Sequence, residues 1–505
     1  MKRKYISYGA ATMLLGVALF ASCKKSFLEL QPAGQTLEVN YYSTPAEAFA
    51  GLVAAYEPLS TETGGIDNTY SGVLGPLNSA SDDCVTGGGS STDMTTWQVW
   101  NNYTLSAAQG PQGEYWGLDF KGVSRANIIL SKLPAVPGLD DATKARYTAE
   151  AKFLRAHYYF DLVRLFKNIP LFTTPIDPKE AYNQPQVAPA EIYTLVEADL
   201  NAAIPDLPAT VSGAENGRAT KAAATALLGK VLLYQEKWAA AAAQFKLVNG
   251  TPGGTGPFGN KLLAKFGDIF SPDHKFNTEA IFEIAHTGSQ SYSWNNWGSF
   301  KSNVYTQMIG ARSYNGPVFM QGWGFNPVTK SLVDAFKATN DPRYGYTVVN
   351  MDSLTAASSS SYEHSYQNTG YFMVKFAPLI KYKAGTGTTE LNYPNDYIEI
   401  RLADTYLMEA EALIKAGSDA GRAKDLLDAV RARVGLASVP ATLDNIYKER
   451  RLELATEGHR WFDLVRTGQA AAVLGADGFK TGTHELLPIP LRELNNTKLK
   501  QNPGY

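Results

Sequence analysis

The chain has 505 residues, 44% of them hydrophobic and 19% charged, with a formal net charge of −2. That apolar share suffices for a large core or two lobes. Near-balanced charge, with no Lys/Arg-rich stretch beyond the extreme N-terminus, removes the electrostatic footprint of a nucleic-acid binder.

Residues 1–22 read as a signal peptide. Lys2, Arg3 and Lys4 form the positive start, and the apolar run Ala10 to Ala21 is too short to span a bilayer comfortably. Phe20-Ala21-Ser22-Cys23 resembles a bacterial lipobox, with Phe20 where Leu is usual, so Cys23 is the expected lipidation site. Cleavage there removes three positive charges and takes −2 to −5. Cys84 is then the only thiol left, cannot form an internal disulfide, and reads as structural. An acyl chain at Cys23 would hold the protein at a membrane surface. No Asp follows Cys23, which leaves outward export open.

Beyond Cys23 the expected organisation is a single domain over 23–505, with an N-terminal region of about 24–250 and a C-terminal region of about 270–505. Thr44-Pro45-Ala46-Glu47 is a helix start, with Thr at the cap and Pro in the first turn. From Thr61 to Gly113 the pattern becomes Gly, Ser, Thr, Asn and Asp with scattered aromatics, which predicts a long functional loop. Helices are predicted over Tyr115–Leu133, Ala142–Phe166 and Pro189–Ile204. Gly217 to Gly250 is a 34-residue unit in which Gly229, Leu232, Trp238, Ala241 and Phe245 occupy tetratricopeptide positions. Ala280 to His286 alternates as a short strand, Thr287 to Gly324 is irregular and aromatic, and Pro327–Phe336 is a helix.

Asp396 to Ala416 carries Ile398, Leu402, Tyr406, Leu407, Leu413 and Ile414 at spacings of three and four, which predicts one helix closed by Gly417. Ala420–Val434 supplies its hairpin partner, and Ile446–Thr467 a further pair. Such a pair cannot bury its apolar face alone and calls for neighbours. The expected fold is mainly α, a tetratricopeptide-like helical-repeat scaffold with three or four degenerate repeats, long irregular loops and a few short strands.

Several blocks together resemble the SusD/RagB family of outer-membrane nutrient-binding lipoproteins. They are the lipobox at Cys23 with Ser26-Phe27-Leu28-Glu29, then Arg125-Ala126-Asn127, Glu150 to Ala156, and Asn168-Ile169-Pro170-Leu171. Further on come Gly217 to Ala223, Arg401 to Asp404 with Glu409 to Ala412, Glu449 to Leu454, Gly458 to Leu464, and Gln501 to Tyr505. The resemblance implies the helical-repeat scaffold and a SusC-like, TonB-dependent transporter as partner. It also implies an outer-membrane location facing the exterior and an oligosaccharide cargo, with peptide as the alternative.

Sugar capture needs flat apolar faces among fixed polar groups. Two stretches supply them: Asp82, Trp97, Trp100 and Asn101 in the first, and Tyr292, Trp294, Trp297 and Trp323 in the second. The competing reading is that these rings anchor loops onto helices. Glu453 and Asp463 would be a glycosidase acid pair, but the density of charge from Glu449 to Asp463 instead predicts internal ion pairs such as Arg450 with Glu453. No cofactor is expected, and Asp82-Asp83 is the one place where a structural Ca²⁺ would find carboxylates. Gly254-Thr255-Gly256-Pro257-Phe258-Gly259 spells a dinucleotide fingerprint but lacks a leading strand, and Pro257 removes a backbone donor.

Overall fold

The computed structural model describes residues 42–65, 73–295 and 301–505. The signal peptide, Cys23 and Trp297 lie outside the described residues. Helix α1 (Pro45–Gly64) begins as its sequence dictates. Thr44 Oγ1 accepts the Glu47 N–H at 3.2 Å while Glu47 Oε2 accepts the Thr44 N–H at 3.1 Å, a reciprocal cap that satisfies two otherwise unpaired donors.

The segment read as one long loop is not one. Helix α1 runs on to Gly64, and two short helices follow, α2 (Leu74–Ser79) and α3 (Thr95–Asn101). Tertiary burial rather than propensity sustains them, since α2 is buried throughout and contains Gly75 and Pro76. The Trp97 indole lies against Gly75 so closely that a Cβ on Gly75 would sit 1.9 Å from the ring. Gly75→Ala is therefore expected to force the indole aside and cost about 1–3 kcal/mol, the range for overpacking a filled site. Chemical denaturation of the variant against the parent checks this.

The scaffold continues with α4 (Gln112–Lys132), α5 (Asp141–Phe166), α6 (Pro189–Ala203), α7 (Lys221–Tyr234) and α8 (Trp238–Asn249). Each packs on the next in chain order, and α1 packs across α4 and α5. Gly229 on α7 does what a small repeat position must: a Cβ there would lie 2.7 Å from the Phe245 ring of α8, so the two axes approach closely.

A long excursion then leaves the stack. It holds β1 (Ala280–Ile284), α9 (Val304–Ile309), α10 (Lys330–Lys337), β2 (Val348–Asn350) and β3 (Tyr371–Met373). It returns through β4 (Tyr397–Arg401) into α11 (Leu402–Lys415), α12 (Ala420–Arg433), α13 (Leu443–Glu453) and α14 (Arg460–Arg466). β1 and β4 pair antiparallel, with Ala280 opposite Arg401 and Ile284 opposite Tyr397. β2 and β3 pair likewise, with Val348 opposite Met373. α11 packs on α8, α12 and α13, which resumes the stack where it was interrupted.

Two readings are corrected in this half. The helix expected from Asp396 starts only at Leu402, because Tyr397, Ile398 and Ile400 are spent on a strand buried on both faces. The expected Arg450–Glu453 pair does not form. Arg450 donates to Asp404 at 2.7 Å and Asp463 at 2.9 Å, while Glu453 is gripped by Arg343, Arg401 and Arg433. Arg401, itself buried, also reaches Glu457 at 2.8 Å and Glu279 at 3.0 Å. This network ties α13 to β4, to α12 and to the excursion through Arg343. The C-terminal tail is pinned by Asn502 Nδ2, which donates to the carbonyls of Leu487 at 2.8 Å and Phe166 at 3.1 Å. Among the described residues no helix is long and apolar enough to cross a membrane.

Candidate functional site

The exposed aromatic shelf is built by the excursion. Trp323 sits in a stretch whose backbone is stitched to the end of α9. Its N–H donates to Gln307 O at 3.1 Å, and Gly324 N–H donates to Gly310 O at 2.8 Å. Beneath the half-buried Trp323 lie Tyr292, Val304 and Leu391, a small apolar cluster of their own. Trp294 stands beside Trp323 with ring centroids 6.3 Å apart and planes 24° apart. At 40% exposure, Trp294 leaves much of its surface to solvent. Two nearly parallel indoles at the surface offer the apolar face that a sugar ring's C–H side requires.

Polar side chains fix the segment that carries Trp294. Tyr292 N–H donates to Asn392 Oδ1 at 3.0 Å, and Asn392 Nδ2 returns a bond to Tyr292 O at 3.0 Å. Ser291 and Thr386 hydroxyls meet at 2.7 Å. The shelf is thus held by side-chain pairs rather than by regular structure.

Around it, short backbone bridges bring in residues that sequence reasoning did not nominate. Gly88 N–H donates to Gly324 O at 2.9 Å, and Tyr366 N–H donates to Gly88 O at 2.8 Å. Tyr366, 37% exposed, therefore belongs to the same rim. Arg312 lies there too, its backbone bridged to Gly322 and its guanidinium 3.5 Å from Glu363. The one available signal was composition: Tyr366 lies in a Ser-, Tyr- and His-bearing loop.

The first aromatic stretch does not join this shelf. Trp97 and Trp100 are wholly buried, at 0% exposure. Trp97 packs edge-on to Phe325 at 5.4 Å, and Trp100 packs against Trp461 at 5.2 Å and Tyr115 at 6.0 Å. Placed by α3 in the core, their indoles cannot reach a ligand. Asn101 Oδ1 accepts the Thr86 N–H at 2.8 Å and so pins a loop. Tyr292 is buried and serves as bedding for Trp323.

Asp82 is likewise absorbed by structure. Its carboxylate accepts Arg460 at 2.7 Å and meets Arg451 at 2.8 Å. Burial pushes this carboxyl up, but the Arg460 bond and the two guanidinium charges outweigh that and hold it below the ordinary range. Asp83 is paired with Arg451 at 2.9 Å. These oxygens face guanidinium groups, a donor set that does not suit the Ca²⁺ considered for Asp82-Asp83. Glu453 and Asp463 are also saturated by arginine. Both stay ionised, so neither supplies the protonated acid a glycosidase pair needs. Cys84 is buried and free.

Helical repeats carrying an excursion that mounts a surface aromatic shelf define a binding scaffold. The profile described as "SusD family" matches residues 278–505, and one described as "Starch-binding associating with outer membrane" matches residues 50–233. The chain belongs to the SusD family. A solved laminarin binding SusD-like protein is 48% identical, with a TM-score of 0.87, and the match covers 92% of this chain and 100% of that one. Surface glycan-binding protein A from Bacteroides thetaiotaomicron, solved in complex with laminarihexaose, is 29% identical with a TM-score of 0.81, covering 91% of this chain and 99% of that one. A SusD-like protein of Bacteroides ovatus is 26% identical over 88% of this chain and 80% of its own length.

Proposed function

We propose that the protein is a cell-surface, lipid-anchored glycan binder that takes laminarin-type glucan and passes it to a SusC-like transporter without cleaving it. The Trp294–Trp323 shelf carries the reading, because it combines near-parallel indoles with a polar-braced support. The choice of glucan follows the 48%-identical laminarin binder and the relative bound to laminarihexaose. Arg312, Glu363 and Tyr366 flank the shelf as hydroxyl partners. Trp297, five residues beyond Tyr292, remains a proposed contact on its sequence alone. The Cys23 anchor and the outer-membrane location follow from the lipobox and from the profile described as associating with outer membrane.

Affinity electrophoresis and titration calorimetry with laminarin test the reading, with starch as comparison. Trp294→Ala and Trp323→Ala are each expected to weaken laminarin binding by about 1–3 kcal/mol, the scale on which a contact aromatic is lost. Full affinity in both variants would overturn the shelf. Sustained release of reducing ends on incubation with laminarin would overturn the non-enzymatic part. Co-purification with a TonB-dependent transporter encoded alongside tests the hand-over.

A further inference from the structure

Where α1, α4 and α5 meet, three carboxyl groups converge. Glu62, Asp119 and Asp161 each present an oxygen within 4.8 Å of the others. They face a cavity of about 50 Å³ between these helices, β4 and the turn before α14. That is room for an ion or a few waters.

A group of acids alone would mean little, but two of these are nearly sealed from solvent. Glu62 is 6% exposed and Asp119 1%. Glu62 Oε1 and Asp119 Oδ1 find no hydrogen-bond donor among the described residues. Glu62 and Asp119 lie within hydrogen-bond reach of each other, so these two buried oxygens need a positive group between them, a shared proton or a cation. Charge leads to the same place. The acids Glu62, Asp119, Asp161 and Glu399 line the cavity, against the fixed cations Arg164 and Lys230. Arg164 is already bonded to Asp161, and His157 lies 3.6 Å from both Asp161 and Glu399. Even with His157 protonated, ionisation of all four acids leaves a negative surplus; burial disfavours the charged form of His459 at the cavity edge.

We propose that Glu62, Asp119 and Asp161 bind one divalent cation of the hard, oxygen-liganded class, with Ca²⁺ as the best fit. Oxygens around Ca²⁺ at about 2.4 Å lie up to about 4.8 Å apart across the ion, so three oxygens that all lie within 4.8 Å of one another can share one. The site sits at the C-terminal end of α1 and braces α1 against α4 and α5. Without a cation, two carboxyls this close retain protons.

The purified chain, stripped with EDTA and re-equilibrated with CaCl₂ or MgCl₂, is assayed by elemental analysis, calorimetric titration and thermal melting. One Ca²⁺ per chain is expected, with a melting temperature raised by CaCl₂ and lowered by EDTA. Asp119→Asn and Glu62→Gln, which keep the shape of a protonated pair, are each expected to lose the ion. A parent protein that holds no Ca²⁺ and melts alike in CaCl₂ and EDTA would overturn the proposal in favour of a shared proton. Ca²⁺ binding unchanged in both variants would place the ion elsewhere and overturn it equally.

Discussion

Glu453→Ala is expected to destabilise the protein by about 3–5 kcal/mol, the cost of removing one partner from a buried ionic network. Glu453 is fully enclosed, and its carboxylate is shared by Arg343 at 2.8 Å, Arg401 at 2.6 Å and Arg433. The first of these comes from the excursion, the second from β4 and the third from α12. Alanine leaves three buried guanidinium groups short of one acceptor each. Glu453→Gln keeps an acceptor and should cost less, which separates lost charge from lost hydrogen bonding.

The same carboxyl sets the acid limit. Burial alone would raise it, but Arg433, Arg401 and Arg343 hold it well below the ordinary range, and Arg401 with Lys375 lowers buried Glu457 as well. A depressed folded-state pKa contributes stability above the unfolded value, about 4.3 for Glu, and that contribution is lost as pH falls toward the folded value. Denaturation midpoints measured from pH 6 down to pH 3 should therefore fall in the parent and fall less in Glu453→Gln.

Trp100→Ala is expected to cost about 3–5 kcal/mol of stability while the folded variant keeps its affinity for laminarin. The ring has no solvent exposure and packs between Trp461 and Tyr115, so its loss opens a cavity and touches no ligand. Trp294→Ala should do the opposite, shifting stability by about 0.5 kcal/mol or less, as surface changes do, while losing binding. Denaturation and affinity electrophoresis on the two variants side by side give a crossed result if the rings are placed correctly. Equal loss of binding at native temperatures would contradict the separation.

The same contrast shows what sequence carries and what it does not. The cap at Thr44 and the Lys221–Asn249 hairpin are legible because their determinants lie within one or two turns. The strand Tyr397–Arg401 is hidden because Ile398 also falls in step with the helical residues after it, and only pairing with Ala280–Ile284 decides between them. Trp97 and Trp294 look alike in sequence, each a Trp among Asn, Ser and Thr. What divides them is distant: Gly75 leaves a slot for the first, whereas the second rests against Trp323 over an unrelated cluster. Asp82 reads as a free acid until Arg451 and Arg460 arrive from more than 360 residues away.

The pairing of Ala280 with Arg401 has a consequence for how such proteins diversify. The whole excursion departs and comes home through one narrow doorway, its two jambs joined by a pair of hydrogen-bonded strands. Loops beyond that doorway that send nothing into the core can lengthen, shorten or exchange their rings without asking the stacked helices to move, whereas Arg343, bonded to Glu449 and Glu453, and Phe325, packed on Trp97, have to stay. Selectivity for a new polysaccharide can thus be installed like a fitting, with the load-carrying frame left as it was.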